Sequence, residues 1–206
     1  MAGWLLPETH YVSSSSIMAP FYASNSCEPF TPETMPCTLG NLVDFAINVA
    51  EPADISEGIA FATKHNIRLV IRNTGHDYNG KSTGAGALAI WTHNLKTIDF
   101  VDYSGSTYSG KAIKMGAGVQ GFEAVAAAQK VGLTVTGGEC PTVGLAGGYT
   151  QGGGHSALAS KYGLAADQTL EWEVVTGTGE FVKASITENE DLYWALSGSY
   201  PPHPLS

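Results

Sequence analysis

The sequence predicts an α+β fold with two β-rich lobes, and three observations predict it. An alternating strand pattern at 45–49, a helix with one apolar face and a second strand at 67–72 form a β-α-β unit. Further strand-like segments follow at 87–91, 98–103 and 112–115. Two more, at 170–176 and 180–184, flank Gly177-Thr178-Gly179 and read as a hairpin. No internal repeat is visible.

Residues 1–40 read as irregular, with prolines, a serine run from Ser13 to Ser16 and no sustained periodicity. Order begins at the 45–49 strand, which ends before Pro52. Asp54 then opens a helix, with Glu57 three residues on as in a capping box. Ile55, Ile59, Ala60, Phe61 and Ala62 supply its apolar face up to about Asn66. The 67–72 strand delivers the loop Arg72-Asn73-Thr74-Gly75-His76-Asp77-Tyr78. A second helix over about 120–131 is alanine-rich, with Phe122, Val125 and Val131 as its larger apolar groups. A strand at 133–136 carries the chain into Gly137-Gly138-Glu139-Cys140-Pro141-Thr142-Val143-Gly144. The last helix starts at Thr187, where Glu190 completes a capping box, and runs through Leu192-Tyr193-Trp194-Ala195-Leu196.

Composition narrows the function classes. With 206 residues, 43% of them hydrophobic, the chain can bury a core in one large domain or two small ones. A formal net charge of −9 argues against nucleic acid and anionic membranes, which need clustered Lys and Arg. No run has the length of a membrane span, and the N-terminus lacks the pattern of a signal peptide. Cys27 and Cys37 flank a proline-punctuated loop and are candidates for a disulfide, which leaves Cys140 unpaired; three reduced thiols are the equal alternative.

His76 and Cys140 each sit in a glycine-marked turn after a strand pattern. A nucleophilic nitrogen and a nucleophilic sulfur so presented could grip one electrophilic cofactor, which suggests a flavin. A lone turn histidine that bonds a neighbouring carbonyl is the plain alternative. Gly144, Gly147, Gly148, Gly152, Gly153 and Gly154 fall within eleven residues, ringed by Thr142, Thr150, His155 and Ser156. Glycines there let the backbone approach a ligand, and successive N–H groups can form an anion site for a pyrophosphate. Tight turns with no ligand would need the same residues. Gly116-Ala117-Gly118-Val119-Gln120-Gly121 matches the dinucleotide fingerprint, with Glu139 beyond it, and on pattern alone suggests a nicotinamide-dependent dehydrogenase. Its late place in the chain, and Glu139's position inside a glycine loop, weaken that reading. His10, His65, His93 and His203 show no metal-ligand spacing, and no nucleophile-elbow motif marks a serine hydrolase.

With both loops in view, the chain resembles the FAD-linked oxidases of the vanillyl-alcohol oxidase superfamily. Within it, the chain is most similar to the berberine-bridge-enzyme-like branch and its fungal secondary-metabolism members. The resemblance covers residues 10 to 198. It rests on Ile71-Arg72-Asn73-Thr74-Gly75-His76-Asp77-Tyr78, on Gly138-Glu139-Cys140-Pro141-Thr142-Val143-Gly144, on Ala165-Ala166-Asp167-Gln168, and on Asp191-Leu192-Tyr193-Trp194-Ala195-Leu196-Ser197-Gly198. It implies a two-lobed FAD-binding domain of the PCMH type over 41–198, after an irregular segment 1–40 and before an atypical proline-rich tail 199–206. Full members are roughly twice this length and continue into a substrate-binding domain, so a truncated chain is expected.

The resemblance implies FAD bound covalently through His76 to the flavin 8α-methyl and through Cys140 to C6. It assigns further cofactor contacts to Arg72, Asn73, Thr74, Gly75, Asp77 and Ser82, and to Thr142, Val143, Gly144, Gly147, Gly148, Tyr149, Gly152, Gly153, Gly154, His155 and Val174. The implied reaction abstracts hydride from a small organic metabolite and passes the electrons to oxygen. Val143 stands where the family gates oxygen access, which leans towards an oxidase, and Tyr149 stands where plant members carry a histidine. The catalytic base is expected in the part of the family sequence this chain lacks, so no residue is named for it. Relatives are commonly secreted. A non-catalytic flavin-binding fragment is the alternative, and an NAD(P)-dependent dehydrogenase a distant third.

Overall fold

A computed structural model describes residues 6–16 and 30–198. Cys27 and the 199–206 tail lie outside the described residues; Cys37 is disulfide-bonded, and Cys140 is a free thiol. The chain divides into two compact units. The first runs up to Asn94 and includes 177–179; the second holds Leu95–Thr176 and the residues from Glu180 on.

The first unit is built on a three-stranded parallel sheet of β1 (Phe45–Asn48), β2 (Arg68–Arg72) and β3 (Ala87–Trp91), in the order β1-β3-β2. The expected β-α-β unit is present, but β3 inserts between its two strands. Being central, β3 is the most buried strand, with Ala87, Ala89 and Ile90 all under 4% exposed. Val43, Val70, Ala87 and Ala89 form one core cluster. Helix α2 (Pro52–His65) lies close to Ile47 and Ile90: a Cβ added at Gly58 would meet Ile47 Cδ1 at 2.7 Å. Its capping box uses Glu51 and Asp54, one turn earlier than the expected Asp54 and Glu57. The Asp54 carboxylate accepts from the Ala50 and Glu51 N–H groups at 2.8 and 3.1 Å. Asn66 ends the helix in the left-handed region (φ 51°). Among its described residues, the N-terminal stretch expected to be irregular holds a short helix, α1 (Pro7–Tyr11).

The second unit opens with an antiparallel hairpin, β4 (Ile98–Ser104) and β5 (Ser109–Met115). Helix α3 (Gly121–Lys130) follows, with Gln120 as its N-cap and Glu123 completing a capping box. It buries Gly121, Ala124 and Ala128, whereas Phe122 and Val125 stay 45% and 47% exposed. The larger apolar groups of the helix therefore point outward, and its small residues are the ones buried. The expected strand at 133–136 is irregular. Its apolar Val135 packs against the Val119, Ala124 and Leu145 cluster, and the segment joins no strand among the described residues. Beyond the glycine-rich loop, a short helix α4 (Ala159–Tyr162) leads to the hairpin β6 (Glu171–Val175) and β7 (Phe181–Ser185). Helix α5 (Glu190–Leu196) begins three residues after the expected Thr187, because Ser185 and Glu188 first exchange backbone hydrogen bonds. Its Leu196 packs with Trp172 and Ala184. Among the described residues, no helix is long and apolar enough to cross a membrane.

Candidate cofactor site

The His76 loop leaves the C-terminal end of β2, where parallel sheets present ligand sites. Arg72, the last residue of the strand, is fully buried. Its Nη2 donates to the carbonyls of His10 (3.0 Å), Ser13 (2.8 Å) and Ser16. Its Nε and Nη1 are buried with no hydrogen-bond partner among the described residues. Burial lowers the guanidinium to about 10, so it is still charged at neutral pH. Gly75 follows in the left-handed region (φ +77°), and a Cβ there would lie 2.7 Å from Arg72 Nη1. The turn that presents His76 therefore folds directly over the guanidinium and requires glycine twice, for its dihedral and for its space. Thr74 is buried, His76 and Asp77 are half-buried and Tyr78 is exposed. The Asn73 carbonyl accepts from Trp91 Nε1 at 3.1 Å, and the Asp77 carboxylate accepts from the Lys81 N–H. Ser82 is half-buried, next to Thr83, whose hydroxyl donates to Asn41 O at 3.0 Å.

The Cys140 loop belongs to the second unit. Cys140 is exposed, with Sγ 3.6 Å from the Thr142 hydroxyl. Thr142 and Gly144 are buried, and Val143 is half-buried. The glycines after it divide into two kinds. An added Cβ at Gly154 (φ +72°) would meet Ala165 Cβ at 2.6 Å and Tyr149 Cε1 at 2.8 Å. The Gly153 and Gly154 carbonyls accept from Ala166 and Ala165, so this pair serves packing inside the unit. At Gly147, by contrast, nothing lies within 4 Å of an added Cβ, and Gly148 is exposed. This open backbone lies in the segment Leu145–Tyr149, which kinks at Gly147 (φ −118°, ψ −128°). Gly152 sits close to the Gly148 carbonyl (3.1 Å from an added Cβ), and His155 is exposed. The Tyr149 hydroxyl donates to the His155 carbonyl at 2.8 Å, and burial raises its pKa. Val174 lies on β6, opposite Val182 and packed against the Trp172 cluster.

The residues present suit a flavin: a free exposed thiol, an imidazole on a separate fixed turn, and open glycine backbone. The dinucleotide fingerprint does not offer a phosphate site. Gly116 N–H donates to Thr97 O, Gly118 to Leu95 O, Gly121 to Val143 O and Phe122 to Pro141 O. The donors that would meet a pyrophosphate at that helix start are already taken. Three residues lie outside the expected site: Gln120 holds the Thr142 carbonyl of the Cys140 loop, and Lys96, paired with Glu123, holds Gln120. The spacing of Gln120 and Glu123 is a capping-box signal in the sequence, but nothing local announces the reach of Gln120 to Thr142.

The sequence profile described as FAD binding domain matches residues 43–185. FAD-linked oxidoreductase patO of Penicillium expansum is 60% identical over 195 residues, which cover 95% of this chain and 34% of that protein. FAD-linked oxidoreductase ZEB1 of Gibberella zeae is 58% identical, with the same coverage. The crystal structure of the VAO-type flavoprotein MtVAO615 from Myceliophthora thermophila C1 matches with a TM-score of 0.92 at 52% identity, covering 96% of this chain and 36% of that one. The chain thus spans about a third of the length of these relatives.

Proposed function

This chain belongs to the FAD binding domain family, and on that premise we propose that it carries FAD attached through both His76 and Cys140. We propose further that the protein so loaded oxidises a small organic metabolite with oxygen as electron acceptor. The observation that carries the attachment reading is Cys140, a free and exposed thiol followed by three residues whose carbonyls are each held by a hydrogen bond. His76 would hold the flavin from the first unit, and the Gly147-Gly148 backbone would lie against it. Val143 would line the oxygen side. Bound FAD supplies two-electron oxidation of the substrate, and two covalent anchors would fix its ring and raise its potential. The FAD-binding portion then corresponds to residues 41–198. The similarity to FAD-linked oxidoreductases and VAO-type flavoproteins supports oxidation as the reaction class.

The test is intact mass under denaturing conditions after expression with FAD available. The parent chain is expected to carry one FAD-sized adduct. His76→Ala and Cys140→Ala should each retain it, and the double variant should lose it. An unmodified parent mass overturns covalent attachment, and loss of the adduct in one single variant reduces the number of anchors to one.

A further inference from the structure

We propose that Gln120 is a positioning residue that sets the place of the Cys140 thiol. The proposal rests on the reading of Cys140 as a flavin anchor. It gives a role to the glycine motif at 116–121, whose backbone donors are taken within the chain.

Three consecutive carbonyls of the cysteine loop are each taken by a donor from the start of α3. Phe122 N–H donates to Pro141 O at 2.9 Å, Gln120 Nε2 to Thr142 O at 2.8 Å, and Gly121 N–H to Val143 O at 2.9 Å. Leu145 N–H returns a bond to Val119 O at 3.0 Å, and Gln120 pairs with Gly144 as an isolated bridge. The first N–H groups of a helix have no partner within it, and the carbonyl of a buried residue such as Thr142 has no water. Here each side satisfies the other. Gly121 eases this approach, since an added Cβ would stand 3.3 Å from the Pro141 carbonyl.

The two flanking bonds come from backbone; the middle one comes from the Gln120 side chain, which is 1% exposed. Its amide is held in turn. Lys96 Nζ donates to Gln120 Oε1 (3.2 Å), to Gly118 O (2.6 Å) and to the Glu123 carboxylate (2.6 Å), while the Gln120 side chain also accepts from the Glu123 N–H. With its oxygen so occupied, the amide can turn only its NH2 to Thr142. The thiol stands two residues from that fixed carbonyl, with Sγ 3.6 Å from Oγ1 of the same threonine. Bond formation at a positioned sulfur is sensitive to displacement, and about 1 Å of misplacement can cost on the order of a hundredfold in rate.

Gln120→Glu keeps the acceptor atoms that cap α3 and face Lys96, but replaces the donor to Thr142 with an oxygen that repels the carbonyl. Glu123→Ala is the comparator, since it weakens the cap and the Lys96 pair but leaves the donor in place. In the flavin-free chain, Gln120→Glu should label faster with a thiol reagent at Cys140 and exchange the 142–145 amides faster, each by at least about tenfold, the effect of one lost hydrogen bond. In the flavin-loaded chain, the fraction of Cys140 peptide carrying flavin should fall while the His76 linkage persists. Glu123→Ala should lower Tm without either effect. The proposal is overturned if Gln120→Glu labels and exchanges like the parent, or if Glu123→Ala matches it at equal loss of Tm. Should Gln120→Glu fail to fold, the parent decides: the Gly121, Phe122 and Leu145 amides must exchange as slowly as those of Ala124 and Ala128, and loop-like exchange overturns the clamp. If Cys140 carries no flavin in the parent, the anchor reading fails, while labelling and exchange still judge the clamp.

Discussion

Arg72 brings a positive charge into the interior, and among the described residues it is carbonyls of the N-terminal segment that answer it. These partners lie 56 to 62 residues away in the chain, so no local pattern could have announced them. Gly75 and His76 were legible because a glycine before a histidine after a strand is a local feature; the guanidinium beneath them was not. Gly75→Ala is expected to destabilise by about 2 kcal/mol, from the left-handed backbone and the contact with Nη1. Urea denaturation measures it, and a change within error would mean the turn is not held this way. Tyr149 makes a pH prediction. Its hydroxyl has a raised pKa in the folded chain, so the folded state holds the proton longer than the unfolded state. That contribution is complete below the ordinary tyrosine range and is lost as pH rises through the raised value. Tyr149→Phe should therefore lose less stability than the parent between neutral pH and alkaline pH above 10, by thermal melts across that range.

At the scale of elements, existence and type were readable where periodicity was strong, and boundaries failed where chemistry at the ends competed. Asp is a good first cap, so the sequence points to Asp54 as the start of α2. Pro52, which suits the first helical position, moves the start one turn back and makes Asp54 the third residue, where its carboxylate accepts two N–H groups. Asp54→Ala should cost about 1 kcal/mol, and Glu57→Ala less than about 0.5 kcal/mol, by chemical denaturation. Equal costs would restore the later cap. The 133–136 stretch has strand-forming residues but no strand beside it, and propensity without a pairing edge leaves it irregular. In α3 the alanines rather than Phe122 and Val125 face inward, Ala124 packing with Val119 and Leu145.

For the whole molecule, the α+β class and the division into two units followed from where glycine loops and strand patterns fall, but the order β1-β3-β2 did not. Sheet order depends on which distant strand fills the gap between β1 and β2, and a single sequence carries no direct sign of that. The two cofactor loops were visible as motifs, whereas the residues that brace them came from other elements. Ligand linkage gives a prediction at this scale. In the His76→Ala, Cys140→Ala double variant, FAD at a hundredfold over its Kd should add about 2.7 kcal/mol, roughly 5–10 °C in Tm, and NADPH should add nothing. No shift with FAD would remove the cofactor assignment. The chain also holds a disulfide at Cys37 and a bare thiol at Cys140. Conditions oxidising enough to close the first leave the second open to cross-linking. A flavin on Cys140 would then act as a protecting group, and flavin-poor preparations should show a thiol-reducible dimer on gels that Cys140→Ala abolishes.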